Sequence, residues 1–157
     1  MTAVDLARYI VNYCYEKGNP ISNLQLQKVL FIVNNKYCKR NGRFLINEPY
    51  NSFKVYPYGP TVPYVYNYFK RWGSDKILYT QTHFYNVEIK KDEQNINKDI
   101  DNLMKISIYD LVKFETRPNS AWAKTKAEFG LFSEIEMEDI FEEVKREGAD
   151  YHDSMGC

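Results

Sequence analysis

The residues able to do chemistry are few in this 157-residue chain, and their spacing argues against most catalytic chemistries. It has two histidines, His83 and His152, and neither has a Cys or second His at the spacing a zinc site uses. Cys14, Cys38 and Cys157 form neither a CxxC pair nor an even framework. Cys14 falls on an apolar helical stripe and Cys38 near the end of a helix, so both read as packed thiols. No glycine-rich phosphate loop or G-x-S-x-G elbow occurs. The carboxylates of Asp139, Glu142 and Glu143 cluster on one acidic helix, where a solvated face is the simpler reading than a catalytic pair. The reading is therefore a protein that is not an enzyme and binds no cofactor or metal.

Contact chemistry is better represented. The chain holds 14 Tyr and 9 Phe, and many of them gather in the segment from Phe53 to Trp72. Phe53 to Tyr56 suits a short β-strand. Pro57 and Pro60 remove two backbone donors, and Gly59 supplies freedom for a sharp turn. Thr61 suits a helix N-cap, with Pro63 tolerated in the first turn. Val62, Val65, Tyr66 and Phe69 then recur at helical spacing up to Gly73. Tyrosines next to a proline-stiffened turn offer large contact area at low entropic cost. The expected partner-binding residues are Lys28, Phe31, Tyr56, Tyr58, Gly59, Pro60, Tyr64, Trp72 and Trp122. For Tyr58, Tyr66 and Trp72 the alternative is an ordinary place in the core, with Gly59-Pro60 merely shaping a turn.

The remaining elements must position that segment. Thr2 to Lys17 reads as a helix with Leu6, Ile10, Tyr13 and Cys14 on one face and Gly18 as its stop. Ser22 and Gln25 form a capping box for a second helix, to about Arg40, which Asn41-Gly42 ends. Its main stripe is Leu26, Val29, Leu30, Val33 and Tyr37. Leu24, Gln27, Lys28 and Phe31 form a mixed neighbouring face, either the edge of the core or a contact surface. Lys76 to Thr80 and Phe84 to Ile89 read as short strands, able to pair as a hairpin with Phe53 to Tyr56 as a third strand. Lys90 to Lys98 reads as a solvated connector, followed by a helix with Ile100, Leu103 and Met104. Ser107 with Asp110, and Ser120 before Trp122, mark two further helix starts around an Arg117-to-Ser120 turn. The last helix spans about Glu136 to Glu147, and residues 150–157 read as a flexible C-terminal tail after a domain over 1–149. The fold class is mainly α (α+β): one compact helical domain with a small antiparallel hairpin or three-stranded sheet.

Charge is neutral overall but unevenly spread. Residues 1–77 carry 11 Lys/Arg against 4 Asp/Glu, and residues 78–157 carry 10 against 17. From Glu134 to Asp150 there are 8 acidic residues against Lys145 and Arg146. Glu138, Glu142 and Glu143 thus define a secondary acidic surface able to face a basic partner. The second helix after a Gly-Asn-Pro-Ile-Ser turn also admits a helix-turn-helix reading. However, its cations sit near its C-terminal end, whereas base-reading side chains belong near the N-terminus, and the charge falls short of a basic domain. No apolar run reaches the roughly 20 residues a bilayer requires, and no secretory signal is visible. A reduced, cytoplasmic setting is expected.

The stretch from Ile21 to Phe31, and that from Lys54 to Tyr66 with its Tyr58-Gly59-Pro60 turn, resemble the Panacea domain of SocA-like antitoxins, a family that includes many phage-associated proteins. The resemblance covers residues 3–145, with Thr116 and Trp122 matching a later Thr-x-x-x-x-x-Trp pattern loosely. The chain departs from the family in having Phe53 and Val55 on the strand where a Trp is usual, and Glu115-Thr116 where a His often precedes the late Trp. The resemblance implies an antitoxin of a toxin–antitoxin system that neutralises a cognate protein toxin by direct contact. Family members also suggest two alternatives: a protease adaptor that delivers the toxin for degradation, and a mobile-element accessory protein that binds a host factor. A DNA-binding regulator ranks below these.

Overall fold

The computed structural model describes residues 1–48, 52–78 and 86–147. Eight helices and one two-stranded antiparallel sheet are present among them. The order is α1 (Ala3–Glu16), α2 (Asn23–Asn41), β1 (Lys54–Tyr56), β2 (Gly59–Thr61), α3 (Pro63–Tyr68), a 3-10 turn (Lys70–Trp72), α4 (Val87–Lys91), α5 (Glu93–Leu103), α6 (Ile108–Glu115), α7 (Ala121–Phe129) and α8 (Met137–Glu147).

α2 is the axis of the fold. Its Ser22–Gln25 capping box forms in both directions, and Gly42 ends it in the left-handed conformation at φ 77°. It touches α1, α3, α5, α6, α8 and β2. Consequently Gln27, Lys28 and Phe31 are buried along with the main apolar stripe. The mixed face is core, except at Leu24, which remains exposed. A helix surrounded on so many sides, exposed mainly at Leu24 and at its C-terminal end, is poorly suited to lie in a DNA groove.

α1 contributes Leu6, Ile10 and Val11 to the core from behind its Thr2 cap. α5 contributes Ile96, Ile100 and Leu103 and is tied to α2 by Arg40, which meets Asp92 at 2.7 Å and Asp99 at 2.8 Å. Ser107 and Ser120 cap α6 and α7 as their sequences predict.

Several expectations are corrected. The strand over Phe53 to Tyr56 exists, but its partner is the segment directly after the turn, with Lys54 opposite Thr61 and Tyr56 opposite Gly59. Thr61 therefore ends a strand and does not cap α3. The opposite edge of β1 is covered by residues 132–135: Phe132 N donates to Val55 O, Val55 N to Ser133 O, and Ile135 N to Phe53 O. Phe53 to Tyr56, expected as a third strand beside a hairpin of Lys76 to Thr80 and Phe84 to Ile89, is thus flanked instead by β2 and by a segment much later in the chain. Of the first run, Lys76 makes only an isolated bridge with Ser22. In the second, Val87 to Ile89 open a helix capped by Asn86, whose short polar side chain outcompetes the period-two pattern. Lys90 to Lys98 is not a connector, because it ends α4 and supplies the first turns of α5. Residues 79–80 and 84–85, His83, His152 and the tail at 150–157 lie outside the described residues.

Candidate functional site

The Tyr58-Gly59-Pro60 turn rests on a buried ionic cluster. Lys28 is fully buried, and its Nζ has no hydrogen-bond partner among the described residues. The carboxylate of Glu115, at the end of α6, is buried and likewise unbonded. Gly59 lies between them at φ 119°. A Cβ at this position would stand 2.7 Å from Lys28 Nζ and 3.4 Å from Glu115 Oε1. Glycine is needed twice over, for its backbone angle and for this close approach. Burial pushes the Glu115 carboxyl well above the ordinary range; Lys28 pulls it down, Glu143 pushes it up and Arg117 pulls it down. Burial likewise lowers the Lys28 ammonium against the attraction of Glu115. Arg117 meets Glu143 at 3.3 Å and stacks over the Phe114 ring at 4.2 Å. The ionic layer thereby joins the turn to α2, α6 and α8.

A second polar device fixes the other side of the motif. α3 has no side-chain cap of its own. Instead Gln27 Oε1 accepts from Val62 N at 3.2 Å, and Asn23 Nδ2 donates to Tyr66 O at 3.0 Å. Gln27 Nε2 donates to Asn23 Oδ1 at 3.2 Å, so the two amides, one helical turn apart on α2, clamp both ends of α3 as a unit. This is why α2 buries amides in an otherwise apolar surface.

Between these supports lies a cleft of about 590 Å³. Leu24, Tyr56, Tyr58, Tyr66 and Ile108 line it together with neutral polar groups that include Asn23 and Gln27, and no charged side chain is among its lining residues. Tyr58 is 64% exposed and Tyr66 47% exposed. On the neighbouring surface of α3, Tyr64 is 67% exposed.

The expected partner-binding residues therefore divide into two groups. Tyr56, Tyr58 and Tyr64 present surface at or near the cleft, with Tyr56 half-buried. Lys28, Gly59 and Pro60 lie beneath it and are buried. Phe31 is core, edge-on to Phe53 at 5.0 Å. Trp122 is nearly buried and donates from Nε1 to Tyr56 O at 2.9 Å, holding β1 in place. Trp72 is half-buried against the core. On α8, Glu138 and Glu142 are exposed, but Glu143 is only 4% exposed and leaves the acidic surface for the ionic layer. Sequence reasoning put Leu24 on a face that could be core edge or contact surface, and did not place Ile108 at the site or Glu115 opposite Lys28. For Glu115 the local sequence holds no signal, since the pairing exists only across the folded core.

Among the described residues, no group of three His, Cys, Asp or Glu is placed to hold a metal. Nor is any helix there long and apolar enough to cross a membrane.

The family model described as "Antitoxin SocA-like, Panacea domain" matches residues 26–153. The chain belongs to this family. The match takes in most of α2, the hairpin with its turn, the cleft residues from Tyr56 to Ile108, and the Glu115 layer. Antitoxin SocA of Caulobacter vibrioides (strain NA1000 / CB15N) is 34% identical over 90 residues, which cover 55% of this chain and 43% of that protein. Less than half of that relative is thus spanned by the alignment. No solved structure matches the chain.

Proposed function

We propose that this protein is the antitoxin of a toxin–antitoxin pair and neutralises a cognate protein toxin by direct contact. The observation that carries this reading is the uncharged, tyrosine-lined cleft, set on a turn that two buried polar clusters hold rigid, in a chain of the SocA-like antitoxin family. Exposed tyrosines supply contact area with few torsions to freeze, and a fixed turn removes the cost of ordering a loop on binding. Tyr58, Tyr64 and Tyr66 act as contact residues, Tyr56 forms the cleft wall, and Lys28, Gly59, Pro60 and Trp122 support them from below. The cytoplasm is the expected site of action.

The test is paired expression of the adjacent gene with and without this protein, scoring growth, co-purification and toxin abundance. Restored growth with a stoichiometric complex and unchanged toxin abundance is the expected result. Restored growth with falling toxin abundance and no stable complex would replace direct neutralisation by delivery to a protease. Complex formation with a host protein and no effect of the neighbouring gene would favour the accessory role.

A further inference from the structure

Beside the cleft, at the end of α7, the chain runs Phe129-Gly130-Leu131-Phe132, and all three of its large apolar side chains face solvent. Phe129 is 67% exposed, Leu131 45% and Phe132 58%. Phe132 adopts φ 69°, a left-handed conformation that is rare for a bulky residue and costs on the order of 1–2 kcal/mol. The strain is held by the fold: Phe132 N donates to Val55 O at 2.6 Å, and the next residues pair along β1. The Phe132 ring meets Tyr56 edge-on at 5.3 Å, and Tyr56 also lines the cleft. A strained backbone that leaves an aromatic ring largely exposed next to Tyr56 points to a role in contact.

We infer that the Phe129–Phe132 knob and the adjoining cleft form one two-part docking surface for the toxin, the knob entering an apolar pocket of the toxin while the cleft receives an uncharged apolar segment from it. This inference rests on the antitoxin reading above and specifies the chemistry of its partner. The cleft lining carries no charged side chain, which suits an uncharged apolar insert better than an ion that would have to be desolvated there. Both edges of β1 are already paired, by β2 and by residues 132–135. The toxin therefore does not add a strand to β1, and side-chain insertion is the remaining mode there.

Phe132→Gly separates contact from structure, since glycine occupies φ 69° without strain. Purified wild-type, Phe132→Gly and Phe129→Ser proteins would be titrated calorimetrically with the protein product of the adjacent gene, with thermal midpoints measured alongside. The expected result is a loss of affinity of about tenfold or more for each variant, as for a contact at the energetic centre of an interface. The midpoint of Phe132→Gly should stay within a few degrees of wild type. Wild-type affinity in both variants would overturn the docking surface and leave direct neutralisation standing. Absence of binding by the wild-type protein would overturn both.

Discussion

Lys28 and Glu115 support the Tyr58-Gly59-Pro60 turn from within the core and are not themselves exposed to a partner. Both groups are out of water, and both are shifted toward their neutral forms by that burial. Removing one leaves the other uncompensated, which costs about 3–5 kcal/mol, whereas replacing both with apolar residues of similar volume is close to neutral. Lys28→Met and Glu115→Leu should each lower the urea-unfolding free energy by that order, and the double variant should recover most of the loss. Lys28→Met should also change the pH profile. Without the lysine, Glu115 keeps its proton in the folded state well above its ordinary pKa of about 4.3. Its stabilising contribution is complete below that value and is lost as pH rises toward the raised value. Lys28→Met stability measured from about pH 5 to pH 8 should therefore fall relative to wild type; a rise would contradict the assignment. Gly59→Ala should destabilise by about 1–3 kcal/mol, combining the positive φ with the approach to Lys28 Nζ. Cys14, buried and with its thiol pushed up to about 12, and Cys38, also buried and raised, should resist a thiol reagent at neutral pH until the protein unfolds.

At the scale of elements, local chemistry was legible and long-range pairing was not. Ser22 with Gln25, Ser107 and Ser120 cap helices where the sequence places them, because each cap is decided within four residues. The hairpin partner of β1 was missed because a two-residue Pro57-Tyr58 turn joins strands too short to show alternation. Thr61 was read as a cap because Gln27, which serves Val62 N from another helix, is invisible locally. Phe84 to Ile89 alternates as a strand would, yet Asn86 starts a helix there. The exposed tyrosines and the turn beside the candidate cleft were legible, while the depth of Lys28 and Phe31 followed only from the axial position of α2. If Gln27 clamps α3 in this way, Gln27→Leu should destabilise by about 1–3 kcal/mol through the unsatisfied Val62 N–H and Asn23 Oδ1. Hydrogen exchange at Val62 and Tyr66 should accelerate in step, and unchanged protection there would remove the clamp.

For the whole molecule, two surfaces are candidates for the proposed toxin contact: the neutral cleft and the acidic exterior of α8 with Glu138 and Glu142. They differ in their response to salt. Apolar insertion is nearly indifferent to ionic strength, whereas contact through exposed charges weakens as the screening length falls from about 10 Å at 0.1 M to about 3 Å at 1 M. The most direct measurement is a calorimetric titration of the toxin into wild-type protein and into a Tyr58→Ala/Tyr66→Ala double variant, at low and high salt. Among the described residues neither phenol hydroxyl makes a hydrogen bond, and both rings are exposed, so the variant should stay folded, with its helical circular dichroism intact. Binding at the cleft predicts at least about a hundredfold loss of affinity in the variant and little effect of salt on wild type. Full affinity in the variant, with wild-type binding that collapses as salt rises, would move the interface to α8 and contradict the account.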